Sequence, residues 1–209
     1  MLFRSVLKRI GLRAVPGEPE TNGPLRNTLY GALGFDAKDP EVVAECRRIA
    51  GQYLQDPRSA DPTLLGVALR VTAHHGDAAL YDTYLAALEK ARNPAARSAL
   101  IATLSAFRDP ALTQRALAYS LTPALNSTEF LSVVQGLGGG GGGRFGGDSG
   151  GPARNEIAVD WIMANYPAIA AKAPMIVTGT VVAGTKVARK SCKKTMMTIS
   201  TNTPASSSV

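Results

Sequence analysis

The sequence predicts an all-α fold, a HEAT- or armadillo-like superhelix of antiparallel helix pairs. Three observations carry that expectation. Helix-start signals fall at Asp61, Asp77, Asn93, Asp109 and Asn126, three equal steps and a fourth that is longer by a single position. Between them the apolar residues keep helical spacing, with no strand-like alternation. A unit of that length holds about three helical turns and a tight connection, too little to persist alone in water, so successive helices must stack to bury their stripes. The pairs are shorter than the usual HEAT period of about 40 to 47 residues.

The chain opens with MLFRSVLKRIGLRAV, in which Arg4, Lys8, Arg9 and Arg13 interrupt every apolar run. That excludes the apolar region of a secretory signal. A mitochondrial presequence shares the pattern with the basic amphipathic first helix of a globular domain, and the second reading is adopted. Asp39-Pro40 begins the next helix, where Val42, Cys46 and Tyr53 share an apolar stripe, so Cys46 reads as a buried free thiol. Asp61-Pro62, Asn93-Pro94 and Asp109-Pro110 repeat the device. Each places a side-chain acceptor before the free N–H groups of a first turn, with a proline at the first helical position, where its missing N–H costs nothing. Gly76-Asp77 lacks the proline, and Asn126 with Glu129 forms a capping box. Tyr81, Tyr84, Leu85 and Leu88 make one stripe, and Leu100, Ile101, Leu104 and Phe107 the next.

After Leu137 the composition changes to a glycine run, read as a flexible loop over 138–152. Pro152 opens a further helix with Ile157, Trp161 and Ile162 on one side and a stop at Tyr166-Pro167. Residues 1–174 are therefore expected to form the helical repeat domain, interrupted by the loop. Residues 175–209, rich in Ser, Thr and Lys, are expected to be a disordered basic tail, with at most a short strand at Ile176 to Val182.

A net charge of +7 raises nucleic acid as a partner, so its location matters. Lys186, Arg189, Lys190, Lys193 and Lys194 have no acidic residue among them after Met175, which leaves the chain up to Pro174 nearly neutral. A solvated tail accounts for the run KVARKSCKK, and nucleic acid is not the expected partner. No stretch approaches about 18 consecutive apolar residues, so no membrane span is expected. Two cysteines, Cys46 and Cys192, are too few for a disulfide framework, which favours a reducing, cytoplasmic compartment.

Several motifs invite chemistry. GDSGGP, residues 147–152, and VTAHHGD, residues 71–77, resemble the nucleophile and histidine motifs of chymotrypsin-like serine proteases, with Ser149 as nucleophile and His74 or His75 as base. That family is built from β-barrels, whereas capped helices fill the interval between His75 and Ser149. Ser149 also sits beside a glycine homopolymer, without the strand that a nucleophile elbow needs. Gly138, Gly140 and Gly143 fit a dinucleotide pattern for the same trivial reason, with no βαβ unit around them. His74 and His75, the two histidines of the chain, point about 100° apart on a helix and cannot share a metal ion. They read as a helix-end pair, one partly buried and one solvated. Tyr30, Tyr53, Tyr81 and Tyr84 read as core and rim packing rather than a base-stacking platform. Asp39, Asp61, Asp77 and Asp109 read as caps rather than catalytic carboxylates.

Two stretches carry a family likeness. Residues 16–57, PGEPETNGPLRNTLYGALGFDAKDPEVVAECRRIAGQYLQDP, and 75–121, HGDAALYDTYLAALEKARNPAARSALIATLSAFRDPALTQRALAYSL, resemble the C-terminal helical domain of zinc aminopeptidases. This is the family of puromycin-sensitive aminopeptidase, aminopeptidase N and the endoplasmic-reticulum aminopeptidases. The likeness runs to about residue 174, with RNEIAVDWIMANYPAI continuing it beyond the glycine loop. It implies a HEAT-like solenoid that closes over the active site and helps bound the peptide chamber. It places catalysis in an upstream domain carrying His-Glu-x-x-His, a further glutamate ligand and a Gly-x-Met-Glu-Asn loop, none of which occurs in this sequence.

The expected function is thus the non-catalytic C-terminal domain, a fragment, of a zinc-dependent aminopeptidase, partnered by the upstream catalytic domain and its peptide substrate. Zinc would belong to that other domain, since its three protein ligands and a general base are needed together. No catalytic, metal or substrate-binding residue is assigned to this chain, which is expected to be inactive alone. The alternatives are a stand-alone α-solenoid that binds another protein along one face, and a serine hydrolase using Ser149.

Overall fold

A computed structural model describes residues 2–59, 61–137 and 152–172, and no side chain over 152–155. The glycine run, Ser149, the Ile176–Val182 stretch and the basic run at 186–194 lie outside the described residues. The chain divides into two compact units, Met1–Ala164 and Asn165–Val209.

Within the first unit the helices are α1 (Leu2–Ile10), α2 (Asn22–Gly31), α3 (Pro40–Gln55), α4 (Pro62–His74), α5 (Ala78–Lys90), α6 (Pro94–Leu104), α7 (Pro110–Leu121), α8 (Ser127–Leu137) and α9 (Pro152–Ala164). A π-helical turn, Ala32–Asp36, extends α2. No strand occurs among the described residues. The fold is an all-α solenoid, as the repeat predicts.

The caps sit where the sequence puts them. Asp39 Oδ1 accepts from the amides of Glu41 and Val42, Asp61 from Thr63, Asp77 from Leu80, Asn93 from Ala95, and Asp109 from Ala111. At α8 the box is reciprocal: Glu129 N donates to Asn126 Oδ1, and Asn126 N donates back to Glu129 Oε2, both at 2.9 Å. Each cap removes one or two of the orphan amides that would otherwise open a short helix from its end.

Helices α2, α4, α6 and α8 lie side by side in one layer, and α3, α5, α7 and α9 form the other. Helix α4 is buried nearly all round, leaving a narrow open stripe of Pro62, Thr63, Gly66 and Arg70. It therefore serves two cores. Leu64, Val67, Ala68 and Val71 join Leu7, Leu29, Tyr30, Phe35 and Cys46 in one cluster. Leu65, Leu69 and Ala73 join Tyr81, Tyr84, Leu100, Ile101, Leu104 and Phe107 in the other. Cys46 is a buried free thiol, and Tyr30, Tyr53, Tyr81 and Tyr84 are all core residues. Trp161 and Ile157 of α9 pack against the second cluster.

The structure adds what local patterning left out. The π-turn brings Gly34 against α4 so closely that a Cβ there would lie 2.7 Å from Val71 Cγ1; only glycine fits without displacing α4. The stop expected at Tyr166-Pro167 occurs, but Pro167 also opens a further helix. α9 stops at Ala164, and α10 (Tyr166–Lys172), in the second unit, carries Pro167 in its first turn, where a missing N–H is harmless.

Candidate functional site

Helices α3 and α5 are neighbours in one layer but stand apart, and the C-terminal end of α4 floors the gap. The resulting cavity, about 380 Å3, is lined by Arg47, Leu54, Thr72, His75, Leu80 and Tyr84, with Gly51 adding room because no atom lies within 4 Å of where its Cβ would be. The Thr72 hydroxyl is committed to Ala68 O at 2.7 Å. Burial pushes the Tyr84 phenol well above its ordinary range. Neither of these two hydroxyls is poised as a nucleophile.

The histidines are more enclosed than a helix-end pair with one solvated member. His74 is buried, edge-on to Phe35 and to His75, with ring centroids 5.2 and 5.0 Å away. His75 is partly buried, and its Nε2–H donates to Gly34 O at 3.0 Å. The close approach at Gly34 is what delivers that carbonyl. Both rings thus fasten the π-turn to the end of α4. Ser149 lies outside the described residues, so no geometry relates it to either histidine. Asp39, Asp61, Asp77 and Asp109 are occupied as caps.

Charged groups are arranged to tie segments together. Arg26 is 1 % exposed and donates through Nη1 and Nη2 to Glu18 at 3.0 and 2.7 Å, and through Nε and Nη2 to the carbonyls of Gly11 and Ile10. It closes the C-terminal end of α1. Glu45 is buried and accepts from both Arg13 and Arg48; the Arg48 and Arg13 bonds outweigh its burial and hold its carboxyl at about 2. Tyr30 donates to Leu12 O at 2.6 Å. Arg97 of α6 pairs with Glu129 of α8 at 2.6 Å and also reaches Ala124 O. Arg115 of α7 pairs with Asp82 of α5 and lies 4.7 Å above the Tyr81 ring.

Sequence reasoning assigned none of these. One signal was present: Arg26 occupies an apolar stripe with Leu29, Tyr30 and Leu33, where a charge demands a buried partner.

Among the described residues no three His, Cys, Asp or Glu side chains are grouped to hold a metal ion, and no helix is long and apolar enough to cross a membrane. What remains is a stacked-helix body with a cavity in one layer and a stripe in the other. The family model described as the ERAP1-like C-terminal domain matches residues 1–193. The chain belongs to that family. Its architecture is accordingly that of a C-terminal domain of aminopeptidases, and the match runs past residue 174.

Proposed function

We propose that this ERAP1-like domain is the non-catalytic C-terminal part of a zinc-dependent aminopeptidase, enclosing the peptide chamber and gating access to it. The observation that carries the reading is the family match over residues 1–193. The geometry supports it: the buried carboxylates of Asp39 and Glu45 are spent on a cap and on ion pairs, the buried Ser and Thr hydroxyls donate to nearby backbone carbonyls, and a stack of short helices presents a long surface while bending little at each joint. Zinc and its ligands belong to the upstream domain, so this chain's contribution is enclosure. Peptide processing follows from the two parts together.

The test compares the intact enzyme with a version lacking this domain, using aminoacyl-p-nitroanilides and peptides of increasing length. Removing the domain is expected to spare the small substrates more than the long peptides. The chain alone is expected to release no p-nitroaniline with or without zinc; chelator-sensitive release by the chain alone would overturn the reading.

A further inference from the structure

Arginine side chains in this domain are matched with carboxylates wherever water is displaced. Four described arginines are not exposed: Arg26, Arg48, Arg70 and Arg97. Three of them have a carboxylate, Glu18, Glu45 and Glu129 respectively. Arg70 is the exception. Its guanidinium lies over the Phe35 ring, 5.5 Å from the centroid, and makes no ion pair or hydrogen bond among the described residues. Burial lowers its pKa, and no carboxylate acts in the opposite direction. Desolvating a cation without an anion is costly, and stacking on an aromatic ring returns only part of that cost.

The surroundings say from where an anion could come. Gly66 and Arg70 are one turn apart on the open stripe of α4, and nothing lies within 4 Å of where a Gly66 Cβ would stand. The stripe is otherwise Pro62 and Thr63, so it offers one guanidinium and no second cation. That composition suits a single carboxylate, which a guanidinium grips with two parallel bonds, better than a phosphate or a lipid surface, which draw clusters of cations. We propose that the Gly66–Arg70 stripe of α4 is a docking point for an acidic side chain, Asp or Glu, of the catalytic part of the same polypeptide. The inference rests on the function proposed above and names the partner's chemistry at one site.

The signature is a reversal of sign. Arg70→Met keeps contact with Phe35 and removes the uncompensated charge, so in the chain alone it should leave the melting temperature unchanged or raise it. In the intact enzyme the same substitution should lower the melting transition of this domain and increase its cleavage by a probing protease. Gly66→Leu keeps the arginine but fills the approach, and should show the same reversal. Arg70→Lys should fall between Arg70→Met and the unsubstituted protein. Arg70→Met and Gly66→Leu both behaving alike in the two settings would overturn the inference and leave the proposed function standing. If Arg70→Met lowers the melting temperature of the chain alone, Gly66→Leu decides: no loss in the intact enzyme overturns the inference. A reading frame with no catalytic segment upstream would instead overturn the proposed function, and this inference with it.

Discussion

Arg97 of α6 and Glu129 of α8 meet at 2.6 Å, and the same Glu129 carboxylate accepts the Asn126 amide that closes the N-terminus of α8. One side chain therefore both starts a helix and fastens it to its layer neighbour. Their sequence separation is 32, two steps of the repeat. Asp82 of α5 and Arg115 of α7 are 33 apart. In this solenoid a separation of two steps plays the part that a single turn plays within one helix: it brings side chains onto one face.

Glu129→Ala should therefore cost more than a simple cap, about 1 to 3 kcal/mol in urea unfolding followed by helical circular dichroism. Glu129→Gln keeps the cap acceptor and should recover part of the loss. A double-mutant cycle with Arg97→Ala should return a coupling of about 1 kcal/mol; a coupling of zero would show the ion pair to be idle.

Arg26 presents a harsher case. Arg26→Ala removes the donors that hold Glu18 and the Gly11 and Ile10 carbonyls, and should cost about 3 to 5 kcal/mol. The same melts check it. Loss should begin at α1, seen as faster amide exchange over Leu7 to Ile10 than in the unsubstituted chain.

Acid should act through Glu45. Its folded carboxyl titrates at about 2, below the 4.5 of a free side chain. The stability it supplies is complete above that free value and is lost as pH falls from about 4.5 towards about 2. Unfolding midpoints measured across that window should drop more steeply for the unsubstituted chain than for Glu45→Gln, which has nothing to titrate there. Parallel profiles would remove Glu45 as the cause.

Two tyrosines should respond oppositely to loss of their hydroxyl. Tyr30 donates to Leu12 O, so Tyr30→Phe should cost about 1 kcal/mol. Tyr81 is 1 % exposed, its phenol is pushed up to about 12 by burial, and its hydroxyl has no hydrogen-bond partner among the described residues. Tyr81→Phe should be neutral or raise the melting temperature. Thermal unfolding of both variants at neutral pH distinguishes the cases.

The helix starts were legible because their chemistry is local. An Asp or Asn acceptor and a proline occupy adjacent positions, and nothing distant is needed to read Asp109-Pro110 as the start of α7. The apolar stripes followed for the same reason. The π-turn was not legible, because its cause is contact between Gly34 and Val71, far apart in sequence. Nor were the ion pairs, since a spacing of two repeat steps gains meaning only once the layers exist. The stop before Pro167 was legible, but the helix that Pro167 opens was not, because a proline is compatible with either role. For the candidate surface the lesson is sharper. Gly66 and Arg70 each read as ordinary helix residues, and only the absence of a carboxylate around the second, among the described residues, sets it apart.

Helix α4 turns one face to each of two cores. The solenoid consequently has no clean seam through its middle. A shortened version beginning after the π-turn would keep α3 and α4 but strip Leu64, Val67 and Val71 of the cover that Leu7, Leu29, Tyr30, Leu33 and Phe35 give, leaving an oily flank that invites self-association. One ending before α5 would strip Leu65 and Leu69 instead. The helix works as a keystone, and attempts to trim this domain for crystallisation or display should keep both of its flanks intact.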